Sequence, residues 1–405
     1  SNDPEFNPRV VDQITLPSGH TWNFKYNAYG EVTEVELPSH GFIRYTISET
    51  SPSTERLFRW VSKREVWTSN TQMEGKTVYV RDDYNQSPGS IVTERRLDAG
   101  NTLLSKVEHI FSDSPLNQYA VGFGVPGGTG YKPWRQGKEL ETVTYDSDGT
   151  TKLQTISYAW EQRDSVSWLS SPPPGRNNLS QPEQDPRMSS VETSLDDTGG
   201  APQISRVTYQ YDDDVSNGYN GNGFNNVTRE QMFGYNGELL REIRRSYIGQ
   251  LNGTNYQTDP NAHLRSLIHK ESIWNANGEQ ETFSQYGYDE FDPQPITLTD
   301  SSRNQNRGIN YKTRGNVTSV TVGGPNTVSS VSSMRYDVAG NVIYTEGPPT
   351  TGGRKLSIET TYDGALRFAY PRQTSTRVTE VDQTQQELTT STDYDFSTGV
   401  VTSTR

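Results

Sequence analysis

The sequence predicts an all-β protein made of tandem hairpins that form a curved strip, part of a spiral or shell. Three observations carry this. A short phrase recurs, in which an aromatic residue is followed by a polar one and then, four positions after the aromatic, by glycine. The stretches between copies are rich in Tyr, Thr and Val, and they lack the 3.6-residue apolar period of an amphipathic helix. Apolar content is low: 30% of the 405 residues are hydrophobic, against 23 Tyr, 35 Gly and 22 Pro, and the mean hydropathy is −0.85. A chain this poor in apolar side chains suits a thin sheet with a modest core better than one large ball.

The phrase reads Tyr26-Asn27-Ala28-Tyr29-Gly30, Tyr145-Asp146-Ser147-Asp148-Gly149, Trp274-Asn275-Ala276-Asn277-Gly278, Tyr311-Lys312-Thr313-Arg314-Gly315 and Tyr336-Asp337-Val338-Ala339-Gly340. Looser copies are Tyr211-Asp212, Tyr235-Asn236-Gly237, Tyr288-Asp289, Tyr362-Asp363-Gly364 and Tyr394-Asp395. A β-prone stretch runs into the aromatic, as in Val207-Thr208-Tyr209-Gln210-Tyr211, where alternate residues share one face. The turn formers follow, with a glycine able to take the positive φ of a tight hairpin. A second β-prone stretch returns, such as Asn341-Val342-Ile343-Tyr344-Thr345 or Asn316-Val317-Thr318-Ser319-Val320. Spacings of roughly 20 to 30 residues match one hairpin plus its connection. Two strands per repeat place equivalent residues about 10 Å apart. Tyr311, Tyr336 and Tyr362 are therefore expected in a row, with Gly315 and Gly340 in equivalent turns of one edge.

At these residues the chain resembles the Rhs or YD-repeat family, which includes bacterial polymorphic toxins, the shell components of Tc toxins and the animal teneurins. The family phrase is approximately Tyr-Asp-x-x-Gly-Asn-Val/Leu-Thr. Tyr336 to Val342 matches it almost fully, with Asn341 in the asparagine position. Tyr311 to Thr318 matches with Lys312 in place of Asp, and Asn316 follows the glycine. Tyr26 to Thr33, continued by Leu37-Pro38-Ser39-His40-Gly41 and Tyr45, makes a nearly complete repeat. The resemblance implies a β-hairpin shell that encloses a C-terminal toxin, or an adhesion scaffold. The family's self-cleaving toxins carry a Pro…Asp-x-x-Gly segment before a variable end. Here Ser391 to Phe396 is another repeat, which implies a fragment of a longer chain with neither toxin nor protease.

Residues 1–6 read as a cloning scar, and 7–405 as one continuous repeat region. No repeat register can be set between 46 and 140. Loop insertions are expected near 171–188, 212–226 and 347–353, and an irregular connection over His263 to Ile268.

Chemistry-bearing patterns are scarce. The chain has no cysteine, which excludes disulfides and cysteine-bearing zinc sites. No apolar run approaches the ~18 residues of a membrane span. A net charge of −13 with scattered basic residues argues against a nucleic-acid surface. His20, His40, His109, His263 and His269 have no metal-site spacing. Gly122 to Gly127 fits the dinucleotide glycine pattern, but Pro126 and the glycines after it do not open a helix. Asp212-Asp213-Asp214, with Asn217 and Asn225, is better read as a solvated insertion than as a cation site. Asn226-Val227-Thr228 and Asn316-Val317-Thr318 are sequon-like but fall on the repeat phrase. Trp22, Trp60, Trp67, Trp134, Trp160, Trp168 and Trp274 are expected to pack between hairpins, the alternative being a stacking surface for sugars or a partner protein.

Taken with the resemblance, the sequence reads as a non-catalytic scaffold without catalytic residues, cofactor or metal, and the resemblance implies that it is secreted or at the cell surface. Its partners would be neighbouring repeats and domains of a longer chain, and an enclosed C-terminal toxin. The alternative is a carbohydrate- or receptor-binding adhesion module.

Overall fold

The alternation of polar with β-branched and aromatic residues makes the strands of the computed structural model, which describes residues 9–53, 56–82, 91–112, 135, 137–162, 186–197, 199–212, 224–251, 254–255, 264–295, 311–325, 327, 329–364, 368–382 and 384–405. Among these residues there is no α-helix. The chain divides into two compact units, Ser1–Thr208 with Phe233–Glu238, and Tyr209–Met232 with Leu239–Arg405.

The first unit holds β1 (Gln13–Thr15), β2 (Thr21–Tyr26), β3 (Val32–Glu36), β4 (Phe42–Ser53), β5 (Arg56–Ser69), β6 (Gln72–Asp82), β7 (Ile91–Asp98), β8 (Leu103–Phe111), β9 (Glu139–Tyr145), β10 (Lys152–Gln162), β11 (Pro186–Leu195) and most of β12 (Gln203–Tyr211). Each pairs antiparallel with the next. The second unit holds most of β13 (Val227–Phe233), then β14 (Leu239–Tyr247), β15 (Gln250–Leu251), β16 (Thr254–Asn255), β17 (Ile268–Asn275), β18 (Gln280–Tyr288), β19 (Val317–Gly323), β20 (Ser330–Tyr336), β21 (Val342–Glu346), β22 (Lys355–Tyr362), β23 (Pro371–Thr379), β24 (Gln385–Tyr394) and β25 (Val401–Thr404). β15 and β16 form a ribbon of their own. β14 pairs with β17, and from β17 to β25 every strand is antiparallel to its successor.

Little of this is held by a core. Among the described residues the buried apolar side chains are Phe42, Val143, Tyr211, Ile248 and Tyr288. Ile248 and Tyr288 form one cluster with Leu264, Leu267, Tyr286 and Val317. Cross-strand pairs take over where the core is thin. Lys25, Glu34, Arg44, Glu65 and Lys76 stand directly opposite one another on β2 to β6, so their charges alternate across the face. Glu34 binds Lys25 Nζ at 2.7 Å and Arg44 Nε at 2.7 Å.

Eight of the described hairpin turns share one geometry. At Asn27, Asp98, Asn275 and Asp337, the residue's carbonyl accepts the N–H three positions on, and its own N–H donates to the carbonyl four positions on. Leu16, Leu37, Gly234 and Thr350 open turns of the same pattern. The fourth residue always has positive φ, as at Gly340 (88°), Asn101 (71°) and His40 (63°). This is a type I turn followed by a left-handed residue, which makes a G1 bulge. The turn expected over Leu37 to Gly41 is present, and its left-handed position falls on His40. Gly41 instead keeps room for a neighbouring strand, since a Cβ there would lie 3.1 Å from Trp67 O.

The unreadable stretch from 46 to 140 contains long strands. β4 and β5 run 12 and 14 residues, and the turn that opens at Asp98 puts Asn101 rather than a glycine in the left-handed position. The insertion expected to end at 188 ends sooner, because Pro186 to Met188 already belong to β11, while 163–185 lie outside the described residues. Residues 264–267 are irregular and Ile268 opens β17. The turn over 347–353 closes as a G1-bulge turn between Thr350 and Arg354.

A Cβ at Gly340 would meet nothing within 4 Å, so only its φ of 88° opposes a side chain. Gly340→Ala is expected to cost about 1 kcal/mol in denaturant unfolding. Gly340→Asn should cost less than half of that, because Asn tolerates the left-handed region. Equal losses for the two would contradict this account.

Candidate functional site

The recurring polar groups converge at the strand ends, where two arrangements repeat. The first is a tyrosine clasp. Tyr247, Tyr288, Tyr336 and Tyr362 end their strands, and each hydroxyl donates to the carbonyl of the residue that opens the preceding long strand: Val227 (2.7 Å), Ile268 (2.6 Å), Val317 (2.7 Å) and Val342 (3.4 Å). Tyr26 donates likewise to Val11 O, two residues ahead of β1, at 2.6 Å. A register shift immediately precedes each of these tyrosines, so the turn's bulge re-aims the ring. Burial pushes the Tyr288 phenol up to about 12 and also raises Tyr336 and Tyr362.

The second is a side-chain cap on the turn. Asp337 Oδ1 accepts the N–H groups of Ala339 (2.8 Å) and Asn341 (2.9 Å), and the Asn341 amide returns a bond to Asp337 Oδ2 at 2.9 Å. In Asn27 and Asn275 the polarity is exchanged. Their amides donate to Glu31 (2.6 Å) and Glu279 (3.0 Å), while their Oδ1 atoms accept the turn N–H groups. Glu31 is further gripped by Arg59, whose hydrogen bonds hold its carboxyl down at about 2.

This cap revises the register. Asp289, directly after Tyr288, accepts the N–H groups of Arg314 (2.8 Å), Gly315 (2.7 Å) and Asn316 (3.1 Å). Tyr288-Asp289 and Gly315-Asn316 are thus the two halves of one turn, separated by an insertion. Tyr311 lies outside any strand. The row of strand-ending tyrosines is Tyr288, Tyr336 and Tyr362, and Gly315 and Gly340 each precede the strand that follows such a turn. Tyr211-Asp212 is built alike: Asp212 caps Phe224 and Asn226, and Asn225 takes the left-handed position at φ 64°. Asn226 is 8% exposed and its amide also donates to Arg265 O, so its sequon is occupied structurally.

The other copies diverge. Tyr145 donates to Glu108 Oε2 at 2.7 Å, and burial with that carboxylate lifts it to about 12; Asp146 and Gly149 close its turn. Tyr235 sits in an exposed turn, and Trp274 flanks the turn ending in Gly278 beneath Arg244, 4.0 Å away. Tyr394 stacks on Tyr370 at 5.0 Å, and Asp395 caps Thr398. Asp363 accepts the Phe368 N–H at its carbonyl, so in Tyr362-Asp363-Gly364 the positive φ of 58° falls on Phe368. Sequence reasoning passed over Tyr247, because Ile248-Gly249 replaces the Asp phrase. Its distance from Asn226-Val227 equals that of Tyr362 from Asn341-Val342, and this was the available signal.

Trp22, Trp60, Trp67, Trp160 and Trp274 are all half-buried. Cations cover four of them: Arg81 on Trp60 (5.2 Å), Arg44 on Trp67 (4.7 Å), Lys138 on Trp160 (5.3 Å) and Arg244 on Trp274. Trp134, Trp168, His263, Gly122–Gly127, Asp213, Asp214 and Asn217 lie outside the described residues. His109 binds Glu139 at 2.6 Å, His40 binds Glu36 at 3.3 Å and His20 meets Ser18 at 3.0 Å, each apart from the others. Among the described residues no group of three His, Cys, Asp or Glu is placed to hold a metal, and no helix is long and apolar enough to cross a membrane.

No family model and no curated protein matches the chain. Among solved structures, TcdB2-TccC3 without its hypervariable C-terminal region is 10% identical at a TM-score of 0.36, over 92% of this chain and 23% of that one. The Photorhabdus luminescens Tc holotoxin pore is 12% identical at a TM-score of 0.21, over 95% of this chain and 21% of that one. A porin-like protein from Bacteroides uniformis is 8% identical at a TM-score of 0.23, over 77% and 93% of the two chains. The chain spans less than a quarter of the length of the Tc toxin chains.

The clasp has a pH signature. The Tyr288 phenol is raised from 10.0 to about 12, so its stabilisation is complete below pH 10 and is lost as pH climbs through 12. Alkaline unfolding followed by circular dichroism should show that loss, and Tyr288→Phe should remove it while costing about 1 kcal/mol at neutral pH. An unchanged alkaline transition in that variant would contradict the clasp.

Proposed function

We propose that the chain is a non-catalytic scaffold, a stretch of Rhs/YD-repeat hairpins from a larger shell that encloses a toxin or other polypeptide. In this reading residues 7–405 are one repeat series, secreted or at the cell surface, whose partners are neighbouring repeats, further domains of the same chain and the enclosed segment. One observation carries it: in the clasped and capped repeats among the described residues, the recurring polar groups are taken up in joining strands. The tyrosine hydroxyls sit on backbone carbonyls and the Asp and Asn side chains on turn N–H groups. Those bonds account for these groups as structural members of the repeat. The five described tryptophans are likewise half-buried, which favours a scaffold over an aromatic stacking surface.

Two measurements test this. The purified chain should remain one length on incubation and should hydrolyse no ester, glycosidic or peptide substrate. In the product of the full-length gene, the segment beyond the repeats should resist protease until the protein is denatured. Self-cleavage blocked by a single substitution, or digestion of that segment as fast as when it is isolated, would defeat the reading.

A further inference from the structure

Residues 290–295, which follow Asp289, run back beside the turn that opens at Asp337. Gln294 forms a parallel bridge with Asp337, donating its N–H to Tyr336 O and accepting from Val338 N, both at 2.9 Å. Gln294 and Pro295 thereby wall a cavity of about 460 Å³, which Arg335, Tyr344, Glu359 and Thr361 also line. This volume lies in the range of small-molecule sites. Arg335, Tyr344 and Glu359 stand directly opposite one another on β20, β21 and β22, and Thr361 follows on the face of Glu359.

The state of Arg335 points to a ligand. Its guanidinium lies 5.4 Å from the Tyr344 ring and 5.1 Å from the ring of Phe291, which the insertion supplies. Among the described residues no carboxylate lies within ion-pairing distance of it, whereas Arg229, Arg245 and Arg377 of the same unit are each paired; its charge reaches Glu346 only at longer range. Glu359 bonds Arg377 through Oε2 alone, at 2.6 Å. The row therefore presents a planar, oriented cation at one end and a carboxylate oxygen at the other, with a ring between them and Thr361 and Gln294 beside them.

We propose that this cavity binds a carboxylate-bearing saccharide, a uronic acid being the simplest. The guanidinium fork matches a carboxylate in two parallel hydrogen bonds. Glu359, Thr361 and Gln294 accept or donate to ring hydroxyls. Polyanions are disfavoured, because Glu359 shares the row and Glu346 lies on the same face of β21 in a chain of net charge −13. This proposal is independent of the scaffold reading.

The test is calorimetric titration of the chain with glucuronate, glucose and acetate. Glucuronate should saturate, with glucose and acetate each about tenfold weaker or more. Arg335→Met, at an exposed position that leaves the sheet intact by circular dichroism, should weaken glucuronate by about tenfold or more. Phe291→Ala, which keeps every charge but frees the guanidinium, should weaken it several-fold. No saturable binding, equal binding of glucuronate and either control, or unchanged affinity in Arg335→Met would overturn the site. Unchanged affinity in Phe291→Ala would overturn the insertion's part in it.

Discussion

A sheet with so few buried apolar side chains depends on how its hairpins are closed, and here closure is the work of one short-range constraint. In turns such as Asp337 to Asn341 the left-handed fourth residue creates a bulge, and the bulge sets the preceding residue off the regular alternation. In the tyrosine-ended hairpins that residue is a phenol with a carbonyl in reach. Tyr336 lies at the end of β20 and Val317 at the start of β19, so their 2.7 Å bond ties the open end of the hairpin whose other end is closed by a turn. Turn, cap and clasp are consequences of one backbone geometry.

The caps show that complementarity matters more than residue identity. Asp337 with Asn341 and Asn275 with Glu279 make the same turn with donor and acceptor exchanged. Each arrangement satisfies turn N–H groups that would otherwise lack partners within the chain. The faces of the sheet follow similar logic. Glu242, 2% exposed, is a carboxylate whose burial opposes its charge, and Arg229 and Arg244 outweigh that to hold its carboxyl below the usual range. The ladder from Lys25 to Lys76 is half-buried except at Lys25. Its main effect is on register, because a one-residue slip would carry the whole set to the other face.

Because the cap bridges the two ends of the turn directly, what lies between them can lengthen. Asp212 reaches Asn226, and Asp289 reaches Asn316, with the same contacts that Asp337 makes to a residue four positions away. Loop closure grows costly only slowly with length, so the repeat can carry inserted segments at its edges. One of these builds the wall of the cavity beside Arg335.

The amino-acid order determined the strands, the hairpins and the kind of turn, because these follow from neighbours within about five residues: alternation, a capping Asp or Asn, and a residue tolerant of positive φ. It also marked Asp212 to Asn226 as a swollen turn. It did not show that Tyr288 rather than Tyr311 belongs with Gly315, since once a turn admits an insertion the linear spacing no longer reports which residues meet. Nor did it show that Trp67 lies under Arg44, a residue of another strand, or that the left-handed position in Leu37 to Gly41 belongs to His40. Those outcomes rest on contacts between strands, and such contacts exist only after the sheet has assembled.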